Sequence, residues 1–139
     1  MTAFDDCVKR GLIRVSSPVK GEIDKELGNA DYDLVRATKS FESEDAKWAT
    51  VQAYYSMFHT TRAVLFSMGF KERSHSCLEL FLDKLVNDNL ISIDYSQHFR
   101  TARFQREEAD YNSWYSMADA GHILKPAMDF NGKLKELIR

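Results

Sequence analysis

The feature that most constrains the fold of this chain is a regular spacing of apolar residues between Lys20 and Phe41. Apolar side chains recur there at steps of three and four, at Ile23, Leu27, Ala30, Leu34, Ala37 and Phe41. This period matches one face of an amphipathic α-helix. The chain has only two prolines and six glycines, and no segment sustains apolar/polar alternation, so strands are not expected. The sequence therefore predicts an all-α protein.

Similar patterns predict the remaining long helices. One is predicted from Glu44 to Met68, with Ser43 as its cap and Gly69 just beyond its end. Three more are predicted over His75–Val86, Asp94–Ala109 and Met117–Ile138. Pro126 is expected to kink the last of these or to split it in two.

A short helix and a hook precede these helices. Thr2 can cap that short helix, Gly11 can end it, and the Ser16-Ser17-Pro18 stretch is typical of a loop. We therefore predict an antiparallel bundle of four to five helices over residues 20–139, preceded by a short N-terminal helix and loop over residues 1–19. A length of 139 residues agrees with one domain.

The predicted helix from Glu44 to Met68 is apolar on two sides. One stripe contains Trp48, Val51, Tyr55, Phe58 and Leu65, and the other contains Tyr54, Met57, Val64 and Met68. Such a helix is either central in a bundle or at a subunit interface. Its excess of apolar surface predicts a homodimer.

Charge and cysteine content limit the function further. The net charge of −2 offers no general attraction to nucleic acid, so only a local basic patch could bind it. Cys7 and Cys77 are too few for a disulfide framework and have no metal-ligand spacing. We expect reduced thiols, a cytoplasmic location without membrane contact, and no metal or cofactor, because the sequence lacks the corresponding motifs.

Arg100, Arg103 and Arg106 recur every three residues and lie near one helix face. Such a stripe could bind phosphates. However, Arg103 stands four residues before Glu107, and Arg106 four residues before Asp110. This spacing is typical of a solvated salt-bridge face, and spacing alone favours that interpretation.

Other polar residues allow two interpretations each. His59 and Arg62 interrupt an apolar helix; a satisfied core histidine and an arginine paired across the bundle are the simpler explanations. His75 stands at a predicted helix start, where free N–H groups favour anions, so it either helps to hold a phosphate or belongs to the cap.

Aromatic residues also fall into two groups. Those at helical spacing, Trp48, Tyr54 and Tyr55, are expected to be structural. Those predicted to lie between helices, Tyr111, Trp114 and Tyr115, are better candidates for stacking on a nucleobase.

Three sequence elements occur in order along the chain. The first is the run Tyr54-Tyr55-Ser56-Met57-Phe58-His59, followed by Arg62-Ala63 and an apolar stretch that ends at Gly69. The others are Ser74-His75-Ser76-Cys77-Leu78 and Arg106-Glu107-Glu108-Ala109-Asp110-Tyr111. Together they resemble the HEPN family over roughly residues 20–138. The resemblance implies a HEPN-like helical bundle and, in nuclease members, metal-independent RNA cleavage across a homodimer cleft. There an arginine stabilises the phosphorane charge, and a histidine after four to six residues assists proton transfer.

The chain departs from that nuclease pattern. No arginine is followed by a histidine at the required spacing, and the residue after four intervening positions from Arg106 is Tyr111. A phenol, with an ordinary pKa of about 10, is a poor general base at neutral pH but can donate a hydrogen bond to a phosphate. The resemblance thus implies phosphate binding by Arg106, with Arg103, Tyr111 and His75 as further candidates. Any catalytic group remains open among Arg106, Tyr111 and Asp110.

The preferred hypothesis is a HEPN-type protein that binds a nucleotide or RNA and acts with an MNT-type nucleotidyltransferase. The setting implied by the resemblance is a toxin–antitoxin or defence-like module, without strong nuclease activity. One alternative is an active metal-independent ribonuclease toxin, in which Tyr111, His75 or His59 replaces the missing histidine. The other alternative is a structural helical adaptor.

Overall fold

The computed structural model describes residues 2–139 and confirms the predicted all-α class. Its helices are α1 (Ala3–Lys9), α2 (Lys20–Glu42), α3 (Ala46–Ser67), α4 (Ser76–Asn87), α5 (Ile93–Tyr111) and α6 (Met117–Lys135). Two short strands, β1 (Ile13–Val15) and β2 (Phe70–Glu72), complete the described elements. The five long helices form the predicted bundle.

Helix α3 lies at the centre of the bundle, with α2, α5 and α6 packed around it. Tyr54, Met57 and Val64 are each at most 1% exposed. Because both apolar stripes mostly face other helices of the same chain, they no longer argue for a dimer interface on α3. The inward placement predicted for Trp48 is wrong, since that side chain is 48% exposed. Within residues 2–139, no helix is long and apolar enough to cross a bilayer.

The cap of α3 is not the residue that the sequence predicted. Glu44 has φ 61°, in the left-handed region, so the chain turns sharply between α2 and α3. This turn leaves Asp45, rather than Ser43, at the cap position, where its Oδ1 accepts a hydrogen bond from the backbone N–H of Trp48 at 3.2 Å. The predicted end of the helix is confirmed, because Gly69 follows it with φ 91°.

Helices α5 and α6 each differ from the prediction at one point. Helix α5 continues beyond Ala109, so Tyr111 is the last residue of the helix rather than part of a loop. Helix α6 is not split, because it continues through Pro126. Ile123 and Ala127, on either side of the proline, are 3% and 0% exposed, so packing against the bundle offsets the lost backbone hydrogen bond.

The predicted N-terminal helix and hook are present, but the hook contains a strand. Thr2 caps α1, with its Oγ1 accepting a hydrogen bond from the N–H of Asp5 at 3.1 Å. Strand β1 then pairs antiparallel with β2, placing Arg14 opposite Lys71. The expectation of no strands is therefore wrong here. Each strand has three residues, too few to produce a recognisable alternation in the sequence.

The two cysteines form a disulfide, which corrects the expectation of reduced thiols. Helix α1 packs on α4 and brings Cys7 to Cys77, with their Cα atoms 6.4 Å apart. The two residues are 4% and 1% exposed and are 70 positions apart in the chain. The pairing thus follows from the docking of α1, which no local pattern reveals.

Candidate functional site

Arg106 lies on the side of α5 that faces α3, and its guanidinium packs over two phenol rings. Its Cζ atom lies 5.1 Å from the centroid of the Tyr54 ring and 5.6 Å from that of Tyr55. The Arg106 side chain is 12% exposed, and its contact with a carboxylate is a 3.6 Å approach of Nη1 to Asp110 Oδ2. Its Nε has no hydrogen-bond partner within residues 2–139. That Nε is itself buried, so the property that suits Arg106 to an anion is its positive charge, which has a carboxylate no nearer than 3.6 Å within residues 2–139.

Arg106 and its neighbouring phenols shift one another's pKa values. Burial lowers the pKa of Arg106, but Tyr55, Tyr54 and Tyr111 together outweigh it and leave that pKa above its ordinary value. Burial raises the pKa of Tyr54 to about 12, although Arg106 and Arg103 oppose the increase. At neutral pH the site therefore holds a charged guanidinium over a neutral phenol, which suits anion binding better than proton removal.

The other two arginines of the predicted stripe are occupied by carboxylates. The Nη1 and Nη2 atoms of Arg100 donate to the two oxygens of Asp83 at 2.8 Å and 2.7 Å. Arg103 donates from Nε to Glu107 and from Nη1 to Glu79, each at 3.0 Å. For these two residues the structure agrees with the salt-bridge interpretation. Arg100 and Arg103 are thus neutralised by carboxylates, whereas Arg106 has few carboxylate contacts.

Tyr111 and Asp110 lie beside Arg106 at the end of α5. Tyr111 is 75% exposed, and its phenol is one of the groups that raise the pKa of Arg106. The structure therefore brings together the three residues that the sequence left open as a catalytic set. Tyr111 is open to solvent at the end of the helix, whereas the side chain of Arg106 is largely buried.

His75 precedes the first residue of α4 and does not cap it, because its side chain makes no capping hydrogen bond. Its ring lies against Phe58, with 4.8 Å between the ring centroids. Burial lowers the pKa of His75; Arg62, Arg103 and Arg106 lower it further, and Glu72 opposes them. A neutral imidazole at pH 7 can hydrogen-bond a phosphate but adds no positive charge to hold it.

His59 and Arg62 belong to a polar network between α2 and α3. Nδ1 of His59 lies 2.6 Å from Glu26 Oε2, and Nη1 of Arg62 donates to Glu26 Oε1 at 3.0 Å. Nε of Arg62 also lies 2.9 Å from Glu72 Oε2, so this arginine pairs across the bundle. His59 faces Asp33 as well, at 3.6 Å. Even so, no group of three or more His, Cys, Asp or Glu residues in the described chain could hold a metal ion.

A surface groove lies between the end of α5 and the start of α6. It has a volume of about 340 Å³ and is lined by Phe104, Gln105, Glu108, Trp114, Tyr115, Ser116 and Asp119. We call these seven residues the aromatic groove. Trp114 and Tyr115 lie in the connection between the helices, as predicted, and are 72% and 47% exposed.

Two residues that shape these sites were not singled out from the sequence. Glu26 is 7% exposed. In the sequence, its burial is indicated only by its position as a carboxylate on the apolar side of α2. Phe104 stands between Arg103 and Gln105 and is 57% exposed, and no periodic pattern marks it. Both became apparent only from the packing of neighbouring helices.

Comparison with known proteins gives consistent matches over most of the chain. Residues 24–137 match the family described as HEPN domain. "Putative toxin MJ0142" of Methanocaldococcus jannaschii is 25% identical over 122 residues, which cover 86% of this chain and 83% of that protein. "Putative toxin MJ0605" of the same organism is 24% identical over 127 residues, covering 90% and 95% respectively. The crystal structure of TT1696 from Thermus thermophilus has a similar fold, with a TM-score of 0.72 and 19% identity over 84% of this chain and 98% of that chain.

Proposed function

Because this chain belongs to the HEPN family, we propose that it binds the phosphate of a nucleotide or an RNA through Arg106 and acts in a toxin–antitoxin or defence-like module. The observation that carries the proposal is the Arg106 guanidinium, packed on two phenol rings with its carboxylate contact no nearer than 3.6 Å within the described chain. The names of the two archaeal relatives support a toxin-like role.

Under the same proposal, the protein cleaves RNA weakly or not at all. In the pattern that the chain resembles, a histidine near the arginine assists proton transfer, and here Tyr111 stands at that spacing. A phenol donates a hydrogen bond to a phosphate oxygen more readily than it removes a proton at neutral pH. Arg106 and Tyr111 then act as a pair that holds an anion, with His75 as a further contact nearby, whereas the predicted contribution of Arg103 is reduced by its bonds to Glu79 and Glu107.

The proposed partners are a second copy of the chain and an MNT-type nucleotidyltransferase, in the cytoplasm. Both rest on the resemblance to the family, since the stripes of α3 are used inside the monomer. A transferase gene beside the gene for this protein would support the module and would count against a purely structural adaptor. Light scattering at tens of micromolar measures the dimer directly, and a monomer there contradicts it.

The phosphate contact is tested by comparing Arg106→Ala with Arg103→Ala in binding to a single-stranded RNA of ten nucleotides. Arg106→Ala is expected to weaken binding by about 1–3 kcal/mol, or about 5- to 150-fold, the usual worth of a charge-assisted hydrogen bond. Arg103→Ala should change it by less, because Glu79 and Glu107 already occupy that guanidinium. The salt concentration is held constant, since phosphate binding depends on it strongly.

Circular dichroism checks that both variants remain folded. Equal affinity of wild type and a folded Arg106→Ala variant contradicts the phosphate contact. Absence of RNA and nucleotide binding by the wild type leaves the structural adaptor as the better hypothesis.

An active metal-independent ribonuclease toxin is the second candidate, and the placement of His75 favours it. The ring of His75 lies against Phe58, and burial and nearby cations, including Arg106, lower its pKa, so the imidazole is neutral at pH 7, although the same shift makes it a weaker base. Incubation of the pure protein with total RNA in the presence of a metal chelator tests this candidate. Wild-type cleavage that His75→Ala abolishes supports it, whereas intact RNA supports the binding function.

A further inference from the structure

The aromatic groove combines open ring faces with carboxylates and contains no cation. Trp114 and Phe104 are 72% and 57% exposed, so neither side chain is part of the buried core. Glu108 and Asp119 contribute carboxylates, and none of the seven lining residues is Lys, Arg or His. Apolar rings next to carboxylates, with no basic residue in the lining, form a surface that prefers cations to anions.

The surroundings of the groove leave its negative charge in place. The carboxylate of Glu108 accepts a hydrogen bond from Asn112 Nδ2 at 3.2 Å, and a neutral amide does not cancel a charge. No basic residue lies in the last turn of α5, where the helix dipole itself is negative. At the start of α6, the N–H of Asp119 already bonds to Ser116 Oγ at 3.0 Å, so it does not serve an external anion.

A ligand that satisfies this groove has a positive charge and a flat or apolar stem. A guanidinium or ammonium over a tryptophan face gains a cation–π interaction, and an adjacent carboxylate adds an ion pair. We propose that the aromatic groove binds an arginine or lysine side chain from a basic segment of a partner protein. The inference rests on the proposed function in one respect, namely that the protein acts together with a partner protein.

The same charges make single-stranded RNA a poorer occupant. A base can stack on Trp114, but its phosphates then approach Glu108 and Asp119, which repel them. Phe104 and Glu108 are each two residues from Arg106, which is about 200° around the helix, so the groove lies nearly opposite the Arg106 side chain. The two sites can therefore be occupied together and tested separately.

The groove can be tested with an acetylated, amidated hexa-arginine peptide as the probe. Trp48 and Trp114 are the two tryptophans of the chain, so Trp48→Phe leaves Trp114 as the fluorescence reporter. We expect the peptide to change the Trp114 emission saturably. The double variant Glu108→Gln/Asp119→Asn in that background should bind at least tenfold more weakly.

A matched control makes the same change of charge elsewhere. Asp88→Asn/Glu136→Gln removes two carboxylates from surface ion pairs with Lys84 and Lys133. Glu136 is seventeen residues beyond Asp119, which corresponds to about 25 Å along a helix. This control should keep the wild-type affinity for the peptide within about twofold, because its charges lie far from the groove.

The outcomes separate the groove from the phosphate site. Equal weakening by the two double variants, or no response of Trp114 to the peptide, overturns the proposal. So does a Trp114 response to decauridylate with none to hexa-arginine, which would assign the groove to RNA. Arg106→Ala should leave peptide binding unchanged. Absence of RNA binding by the wild type, with intact peptide binding, therefore identifies a failure of the proposed function and not of the groove.

Discussion

Arg62 and Arg106 each pack over two aromatic rings of α3, yet the two arginines differ in the carboxylates that contact them. The Cζ atom of Arg62 lies 5.5 Å and 5.1 Å from the centroids of the Phe58 and Phe66 rings. That of Arg106 lies 5.1 Å and 5.6 Å from the centroids of the Tyr54 and Tyr55 rings. Stacking alone does not distinguish a structural arginine from a binding one.

The difference lies in the carboxylates. Arg62 is held between Glu26 and Glu72, with its Nε engaged, whereas Nε of Arg106 has no partner within the described residues. A guanidinium whose donors are used stabilises the fold, and one with an unused donor keeps the capacity to bind an anion. The comparison therefore places the proposed phosphate contact at the arginine whose carboxylate contacts are fewer, and not at the one held between two carboxylates.

The largest effect is expected from Tyr111→His, which tests the proposed role of the residues beside Arg106. A histidine at this position restores a general base beside Arg106, and such a group typically contributes about 100-fold or more to a rate. RNA cleavage without divalent metal should therefore rise by about 100-fold over the wild type. Gel analysis of a labelled RNA measures it, with Tyr111→Phe as the control. Strong wild-type cleavage that Tyr111→Phe abolishes would falsify the anion-holding role of this phenol.

The next effect concerns the structural side and uses Glu26→Gln. This change removes the charge that faces His59 at 2.6 Å and Arg62 at 3.0 Å. We expect the free energy of unfolding to fall by about 2 kcal/mol; loss of one partner of a fully buried pair costs about 3–5 kcal/mol, and partial exposure reduces this. Urea unfolding measures the change. Asp24→Asn, which breaks an exposed pair with Lys20, is the control and should have little effect.

Affinity for RNA completes that test. Glu26→Gln should leave it unchanged while the protein is folded, because Glu26 bonds to His59 and Arg62 and not to Arg106. If Glu26→Gln lowers stability no more than Asp24→Asn does, or if it selectively lowers RNA affinity, then Arg62 and Arg106 do not have the different roles proposed for them.

The smallest effect is expected at His75, which senses Arg106 through space. Because burial and the nearby arginines lower its folded pKa, the unfolded chain takes up this proton first as the pH falls through about 6.5. The contribution of His75 to stability is therefore present at neutral pH and is lost on acidification. NMR titration of the ring should give a midpoint below about 6.5, and Arg106→Ala should raise that midpoint. A midpoint at or above the ordinary value contradicts the electrostatic link, and His75→Gln assigns the resonance.

Much of the fold could be predicted because helices depend on local spacing. The stripe from Ile23 to Phe41 predicted α2 to within one residue, and Gly69 marked the end of α3. The failures occur where distant packing overrides local preference. Pro126 remains inside α6 because the bundle holds the helix on both sides of it. Cys7 and Cys77 meet because α1 docks on α4.

The candidate site could be predicted only in part for the same reason. The sequence singled out Arg106 and Tyr111, and the structure places them side by side. Their role as a phosphate site stays a prediction. The groove was only partly visible, since Trp114 and Tyr115 could be named while Phe104 and Asp119 come from helices whose approach no local pattern encodes.

The sequence by itself determined the helical class, most helix boundaries and the ordered motifs that connect the chain to the HEPN family, because each depends on residues close together in the chain. The tertiary structure decided which arginine keeps an unused donor within the described residues. Glu26 lies 36 positions from Arg62, and Glu79 lies 24 positions from Arg103. Only the packing of α2 and α4 against their neighbours brings those carboxylates into place, and the same packing leaves Arg106 resting on aromatic rings with its Nε unpaired in that part of the chain.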